Sequence, residues 1–190
     1  RERERERERE RLTVERRAMF PCILRQSSLR MVGRPSVMRA LSTGQPKNIS
    51  YRVTSRGMGA DSLLTDGEHE WAIGEPKALG GKNSGPNPLK ACLGSLVACE
   101  QALVSMIGKQ MKFEYESVEW EVEGTIDARG IHGDPDVIPY YHSVKVVGRI
   151  KTAESDERLL ELRHKVNQRC PVARLFAAAV PNFSSELVRL

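Results

Sequence analysis

The stretch from Asn87 to Gln110 restricts the available folds more than any other part of this chain. Asn87-Pro88 opens a helix: an Asn side chain suits the capping position, and Pro at the first helical position forfeits no hydrogen bond. Leu89, Leu93, Leu96, Leu103 and Ile107 then recur at helical spacing, joined by Cys92 and Cys99. Ala91, Gly94, Ser95, Ala98 and Ala102 leave small faces for close packing. A helix of this kind is expected to be buried on most sides, so the rest of the chain must supply layers around it.

The flanking segments read as those layers. Ile49 to Ser55 is expected as a first strand, Arg56 to Asp61 as a turn, and Ser62 to Ile73 as a second strand bent at Asp66-Gly67. Gly74 to Pro86 is a loop. After the helix, Glu114 to Thr125 alternates Val118, Trp120 and Val122 with Glu119, Glu121 and Glu123, the pattern of a half-buried strand. Asp127 to Pro139 is rich in Gly, Pro and Asp. Tyr140 to Lys151 then sets Val144, Val146 and Ile150 against Lys145, Arg149 and Lys151, so the two strands can pair with opposite charges facing. Ser155 is placed to cap a helix with acids in its first turn and bases in its last, which suits the helix dipole. A short helix from Pro171 to Val180 and a strand from Phe183 to Leu190 close the chain. This order predicts an α+β fold, a mostly antiparallel sheet packed on helices around a central cysteine-bearing helix.

Charge separates this domain from what precedes it. The chain has 190 residues and a net charge of +5. Residues 1 to 60 hold 15 basic and 6 acidic groups, and residues 61 to 190 hold 15 basic and 19 acidic. The positive charge therefore lies outside the core of the expected domain, and no nucleic-acid partner is expected. No run reaches the ~20 consecutive apolar residues of a membrane span, so no membrane insertion is expected either.

Residues 1 to 11 alternate Arg and Glu with no apolar face, which reads as disorder. Between Arg16 and Ala60 there is no Asp or Glu, and Arg25, Arg30, Arg34 and Arg39 stand among serines and apolar residues. That is the composition of a mitochondrial transit peptide, with Arg39-Ala40-Leu41-Ser42 resembling a processing site. The expected organisation is thus a leader over 1–46, directing the protein to the mitochondrial matrix, and a domain over 47–190.

Several motifs are weighed and set aside. The loop Gly80-Gly81-Lys82-Asn83-Ser84-Gly85 lacks the spacing of a phosphate-binding P-loop and is expected to act as a lid or strap. The four histidines sit on separate elements without metal-ligand spacing. The glutamates of 114–123 are the solvated face of a strand.

The cysteines carry more. Cys22 would leave with the leader. Cys92 and Cys99 lie seven residues apart on one helix, about 10 Å at 1.5 Å per residue, beyond the ~7 Å a disulfide allows. An intramolecular disulfide would have to join one of them to Cys170. Cys170, preceding Pro171, is placed to cap the short helix; beside Arg169 and the positive helix end, its thiol is expected to be acidic.

Gly81 to Pro88, the helix reaching Ala98-Cys99 eleven residues after Pro88, and the later Cys170-Pro171-Val172-Ala173-Arg174 together resemble the signature segments of the OsmC/Ohr family. The resemblance spans roughly Tyr51 to the carboxyl terminus. It implies an α+β homodimer with sites at the subunit interface and a thiol peroxidase that reduces organic hydroperoxides. Cys99 would be the attacking thiolate, oxidised to a sulfenic acid, and Cys170 the resolving thiol. A dithiol reductant is implied, and no metal or organic cofactor.

The family sets an arginine over the first cysteine and a glutamate against that arginine. Here the glutamate position is Leu89, followed by Lys90. Arg56 is the nearest match for the arginine, and Glu100 is a substitute carboxylate about 100° around the helix from Cys99. The chain thus resembles a branch that keeps both cysteines without the full activating pair. The alternative expectation is a noncatalytic thiol redox sensor or small-ligand-binding dimer.

Overall fold

The computed structural model describes residues 47–190, so the expected leader over 1–46 lies outside the described residues. Residues Ile49–Leu190 form a compact unit. Strands β1 (Thr54–Met58), β2 (Asp61–Thr65) and β3 (Glu70–Gly74) make an antiparallel sheet in the order β1-β2-β3. Helix α1 (Pro88–Met111) follows, then β4 (Ser117–Thr125), the single turn α2 (Ala128–Ile131), β5 (Ser143–Lys151), α3 (Asp156–Arg169), α4 (Pro171–Ala179) and β6 (Asn182–Arg189). The second sheet runs β4-β5-β6, antiparallel between β4 and β5 and parallel between β5 and β6. The α+β class holds, with two three-stranded sheets in place of a single one.

The amino-terminal strands depart from expectation in register. The tight turn is at Gly59-Ala60, where Gly59 has a positive φ of 65°, so Arg56 sits within β1 and not in a turn. Asp66-Gly67 is a full reversal and not a bend. The Asp66 carboxylate accepts the backbone N–H groups of Glu68 and His69 at 2.9 and 2.8 Å, an Asx arrangement that ends β2 and starts β3. The alternation of β4 and β5 is realised as expected: Glu119 faces Arg149, and Arg149 bonds the diagonal Glu121 at 2.9 Å.

The glycine loop is a strap. Asp61 of β2 accepts the Lys82 backbone N–H at 2.8 Å and the Ser84 hydroxyl at 2.6 Å. The Ser84 hydrogen bond foremost, with the Lys82 N–H, holds the Asp61 carboxyl below its usual range. Gly85 lies so close to β3 that a Cβ there would stand 2.1 Å from the Ala72 carbonyl oxygen. The loop thus lies backbone on backbone, and its end delivers Asn87 to the start of α1. The Asn87 side chain accepts the Lys90 N–H at 2.9 Å, with Pro88 in the first turn.

α1 is the core element. By length and composition it is the one described helix that would suffice to cross a membrane, yet it packs on α3, α4 and β4 and buries an ionisable side chain, Glu100. Leu96 joins Val144, Val146, Cys170 and Phe176 in one apolar cluster; Val104 and Ile107 join Ile150, Leu162 and Val166 in another. Burial on most sides is not met within one chain. Gly94, Ser95, Ala98 and Ala102 are exposed, and the sheet β1-β2-β3 exposes every residue of β1.

Candidate functional site

Cys99 sits midway along α1, half-buried, and packs against the cluster that contains Cys170. Cys170 is fully buried between α3 and α4. Its position follows from local sequence: Pro171 has no N–H to donate and cannot continue α3, so the chain extends at Cys170 (ψ 111°) and restarts as α4. As expected, Cys170 is the N-cap, its Sγ accepting the Ala173 N–H at 3.5 Å. The fold packs Cys99 against the apolar cluster that holds Cys170, 71 positions along the chain, and both thiols are free. Cys92 lies on an exposed part of α1.

The expected acidity of Cys170 is overturned. Burial pushes the thiol up to about 11, the Ala173 N–H opposes this only in part, and the neighbouring Cys99 and Glu100 raise it further. A helix end attracts a thiolate by a fraction of a charge, and here the loss of water outweighs that attraction.

Arg56 and Glu100 do not meet over Cys99 within the chain. Arg56 lies on exposed β1, lining a shallow hollow with Thr54, Ser55, Leu63, Thr65 and Glu70. Of its sheet, β3 is the strand that packs appreciably on α1. Glu100 points into the core. Its Oε1 accepts the Ser185 hydroxyl of β6 at 2.8 Å, its Oε2 has no partner, and burial holds its carboxyl above the usual range. The expectation that Glu100 serves as carboxylate to Arg56 is therefore replaced by a contact with Ser185. Leu89 offers its backbone carbonyl to the Tyr141 hydroxyl at 2.8 Å, which fixes the first turn of α1.

Ser185 escaped the sequence reading, although a signal was present. It falls in phase with Phe183 and Leu187, so a period-2 strand turns it inward, and a polar residue at an inward position requires a partner. Among the described residues no group of three or more His, Cys, Asp or Glu is arranged to hold a metal ion.

The architecture is shared with known proteins. A family model described as OsmC-like protein matches residues 81–184, more than half of the chain. No curated protein matches the sequence. Among solved structures, an OsmC-like protein from Mycoplasma pneumoniae superposes with a TM-score of 0.63 at 18% identity, over 75% of this chain and 99% of that one. An organic hydroperoxide resistance protein OsmC from Legionella pneumophila gives 0.55 at 18% identity, covering 76% and 98%. The organic hydroperoxide resistance protein OhrB of Bacillus subtilis gives 0.51 at 22%, covering 75% and 98%. At these identities the structural likeness speaks for the fold, and the matched segment, from Gly81 to Ser184, contains both Cys99 and Cys170. The chain belongs to the OsmC-like protein family.

Proposed function

We propose that this protein is a cysteine-based thiol peroxidase that reduces organic hydroperoxides in oxidative-stress defence. The observation that carries the reading is the pair of free thiols, Cys99 packed against the apolar cluster that holds Cys170, and Cys170 at a helix cap. Relatives of the same fold named as organic hydroperoxide resistance proteins support it.

In the proposed cycle the Cys99 thiolate attacks the terminal peroxide oxygen. The O–O bond breaks, Cys99 becomes a sulfenic acid, and the alkoxide leaves and is protonated to the alcohol. Cys170 then attacks the Cys99 sulfur; the S–S bond forms and the sulfenic oxygen leaves as water. A dithiol restores both thiols by two exchanges and is itself oxidised to a disulfide.

We further propose that the working form is a homodimer, in which a second copy covers the exposed small face of α1 and the sheet β1-β2-β3, and that the leader directs import into the mitochondrial matrix. Fusing residues 19–45 to a reporter tests the import. A reporter that remained diffuse in the cytosol would end that part of the proposal.

The activity is tested by consumption of an organic hydroperoxide with excess dithiol, in the wild type, Cys99→Ser and Cys170→Ser. Turnover should be lost in both variants, and Cys170→Ser should accumulate a sulfenic acid on Cys99 that Cys99→Ser cannot form. The second reading, a thiol redox sensor or ligand binder without turnover, is favoured by Leu89 at the glutamate position and by the exposure of Arg56 on β1. Equal inactivity of all three proteins would select it.

A further inference from the structure

A cavity of about 220 Å³ opens between the end of α3, α4 and β6, lined by Asn167, Ala173, Arg174, Ala177, Phe183 and Ser185. It shares no residue with the hollow beside Arg56, and the thiol chemistry proposed above uses none of these side chains. Sites for drug-sized ligands run to about 300–1,000 Å³, so what fits here is smaller.

The polar groups on its walls are already sorted into donors and acceptors by the bonds they make inside the protein. Asn167 gives its side-chain N–H to the Ser185 carbonyl at 3.2 Å. A carbonyl only accepts, so the bonded atom is the nitrogen, and the amide oxygen is left to accept. The Ser185 hydroxyl commits its one proton to Glu100 Oε1 at 2.8 Å, so any further bond it makes is as an acceptor. Arg174, exposed on α4, offers only donors and has neither a hydrogen bond nor an ion pair among the described residues. The rest of the wall is apolar: the methyl groups of Ala173 and Ala177, one turn apart on α4, and the Phe183 ring, itself 6.2 Å from the Phe176 ring.

Behind the Ser185 hydroxyl stands Glu100. It is fully buried, its Oε1 is held by Ser185, and its Oε2 has no partner. Such a carboxyl is costly to ionise without a nearby positive charge. A cation resting on the Ser185 oxygen would stand one hydroxyl away from it, where opposite charges attract across a poorly solvated gap. A neutral donor in the same place would gain no such attraction.

We propose that this cavity binds a small zwitterion with an apolar body, an α-amino acid. Its carboxylate lies on the Arg174 guanidinium, its ammonium donates to the Ser185 hydroxyl and the Asn167 amide oxygen, and its side chain lies against Phe183, Ala173 and Ala177. Each wall then meets the group it is equipped for. An inorganic anion such as phosphate fits less well, because it would satisfy Arg174 while setting its own lone pairs against two acceptors and the Glu100 carboxyl. A simple amine would leave the guanidinium unused.

The test is isothermal titration calorimetry of the full chain, kept reduced, with L-leucine and with two analogues that each lack one charge: isocaproate, which has no ammonium, and L-leucinamide, which has no carboxylate. L-Leucine should bind with a dissociation constant of about 1 mM or tighter. Each analogue should bind at least about tenfold more weakly, because each leaves one side of the cavity unpaired. Arg174→Gln, at an exposed position, should weaken L-leucine by a similar factor and leave L-leucinamide unaffected. Ala177→Phe, which fills the space from its exposed wall, should abolish binding of L-leucine. No binding of L-leucine to the wild type, equal binding of the three compounds, or full binding by Arg174→Gln would each overturn the proposal. Should Ala177→Phe not fold, Arg174→Gln and the analogues decide without it. No thiol takes part in these titrations, so their failure leaves the peroxidase reading intact, and inactivity toward hydroperoxides leaves this site intact.

Discussion

Cys170 occupies a position where local and global physics disagree. Its own neighbours, Pro171 and the Ala173 N–H, make it a helix cap, and that role is legible from Cys-Pro alone. Its acidity is not legible, because burial depends on α1, β5 and β6 closing around it, elements remote in sequence. With its ordinary value of 9.0 raised to about 11 in the fold, the thiol should alkylate roughly a hundredfold more slowly at neutral pH than an unperturbed cysteine. Iodoacetamide labelling followed by peptide mapping should find exposed Cys92 modified well before Cys170. The sign of the stability effect follows: the folded chain holds this proton more tightly than the unfolded chain, so the contribution is complete below pH 9 and fades as pH rises toward 11. Urea midpoints should fall over that window in the wild type and less steeply in Cys170→Ala; parallel slopes would refute the assignment. Glu100 shows the same limit. Its 100° offset from Cys99 is readable on a helical wheel, but only the fold reveals that this direction leads to Ser185.

Elements with strong end signals were legible in advance and those defined by pairing were not. Asn87-Pro88 and Ser155 mark helix starts with side chains that bond the first turn, and the structure starts α1 and α3 where these residues stand. The β2–β3 reversal was hidden because a bend and an Asx turn share the residues Asp66-Gly67, and only the partner strand distinguishes them. The parallel pairing of β5 with β6 was likewise invisible, since strand direction is set by the intervening helices and not by alternation. The strap makes a sharp prediction at this scale. Gly85→Ala would drive a methyl group into the Ala72 carbonyl, and backbone cannot yield as a side-chain tip can. The variant should become sensitive to limited proteolysis within residues 75–86, with a stability loss of about 1–3 kcal/mol by chemical denaturation. Gly108→Ala, where a Cβ meets the Tyr115 ring at an ordinary 3.5 Å, is the control and should be neutral or slightly stabilising.

For the whole molecule, what one chain leaves uncovered is as informative as what it buries. A three-stranded sheet with one strand wholly exposed is a weak unit by itself, and a core helix that shows Gly94, Ser95, Ala98 and Ala102 to solvent has a face fit for another backbone at close range. Both fit the proposed second copy. Ala98→Arg should shift a sedimenting dimer toward monomer without loss of helical content, whereas a wild-type chain that sediments as a monomer would remove the dimer from the proposal. The cysteine positions carry a mechanical consequence as well. Cys99 lies in the first long element of the core, and Cys170 in the crossover that must close before β6 can lie beside β5. A covalent link between them would encircle 71 positions of chain, and tethering a loop of that size restricts the unfolded chain by about 4 kcal/mol. Each redox cycle would therefore alternate the domain between a stapled and an unstapled state, so that a pool of peroxide would be written into the protein's resistance to unfolding, and its half-life would record how recently it had been oxidised.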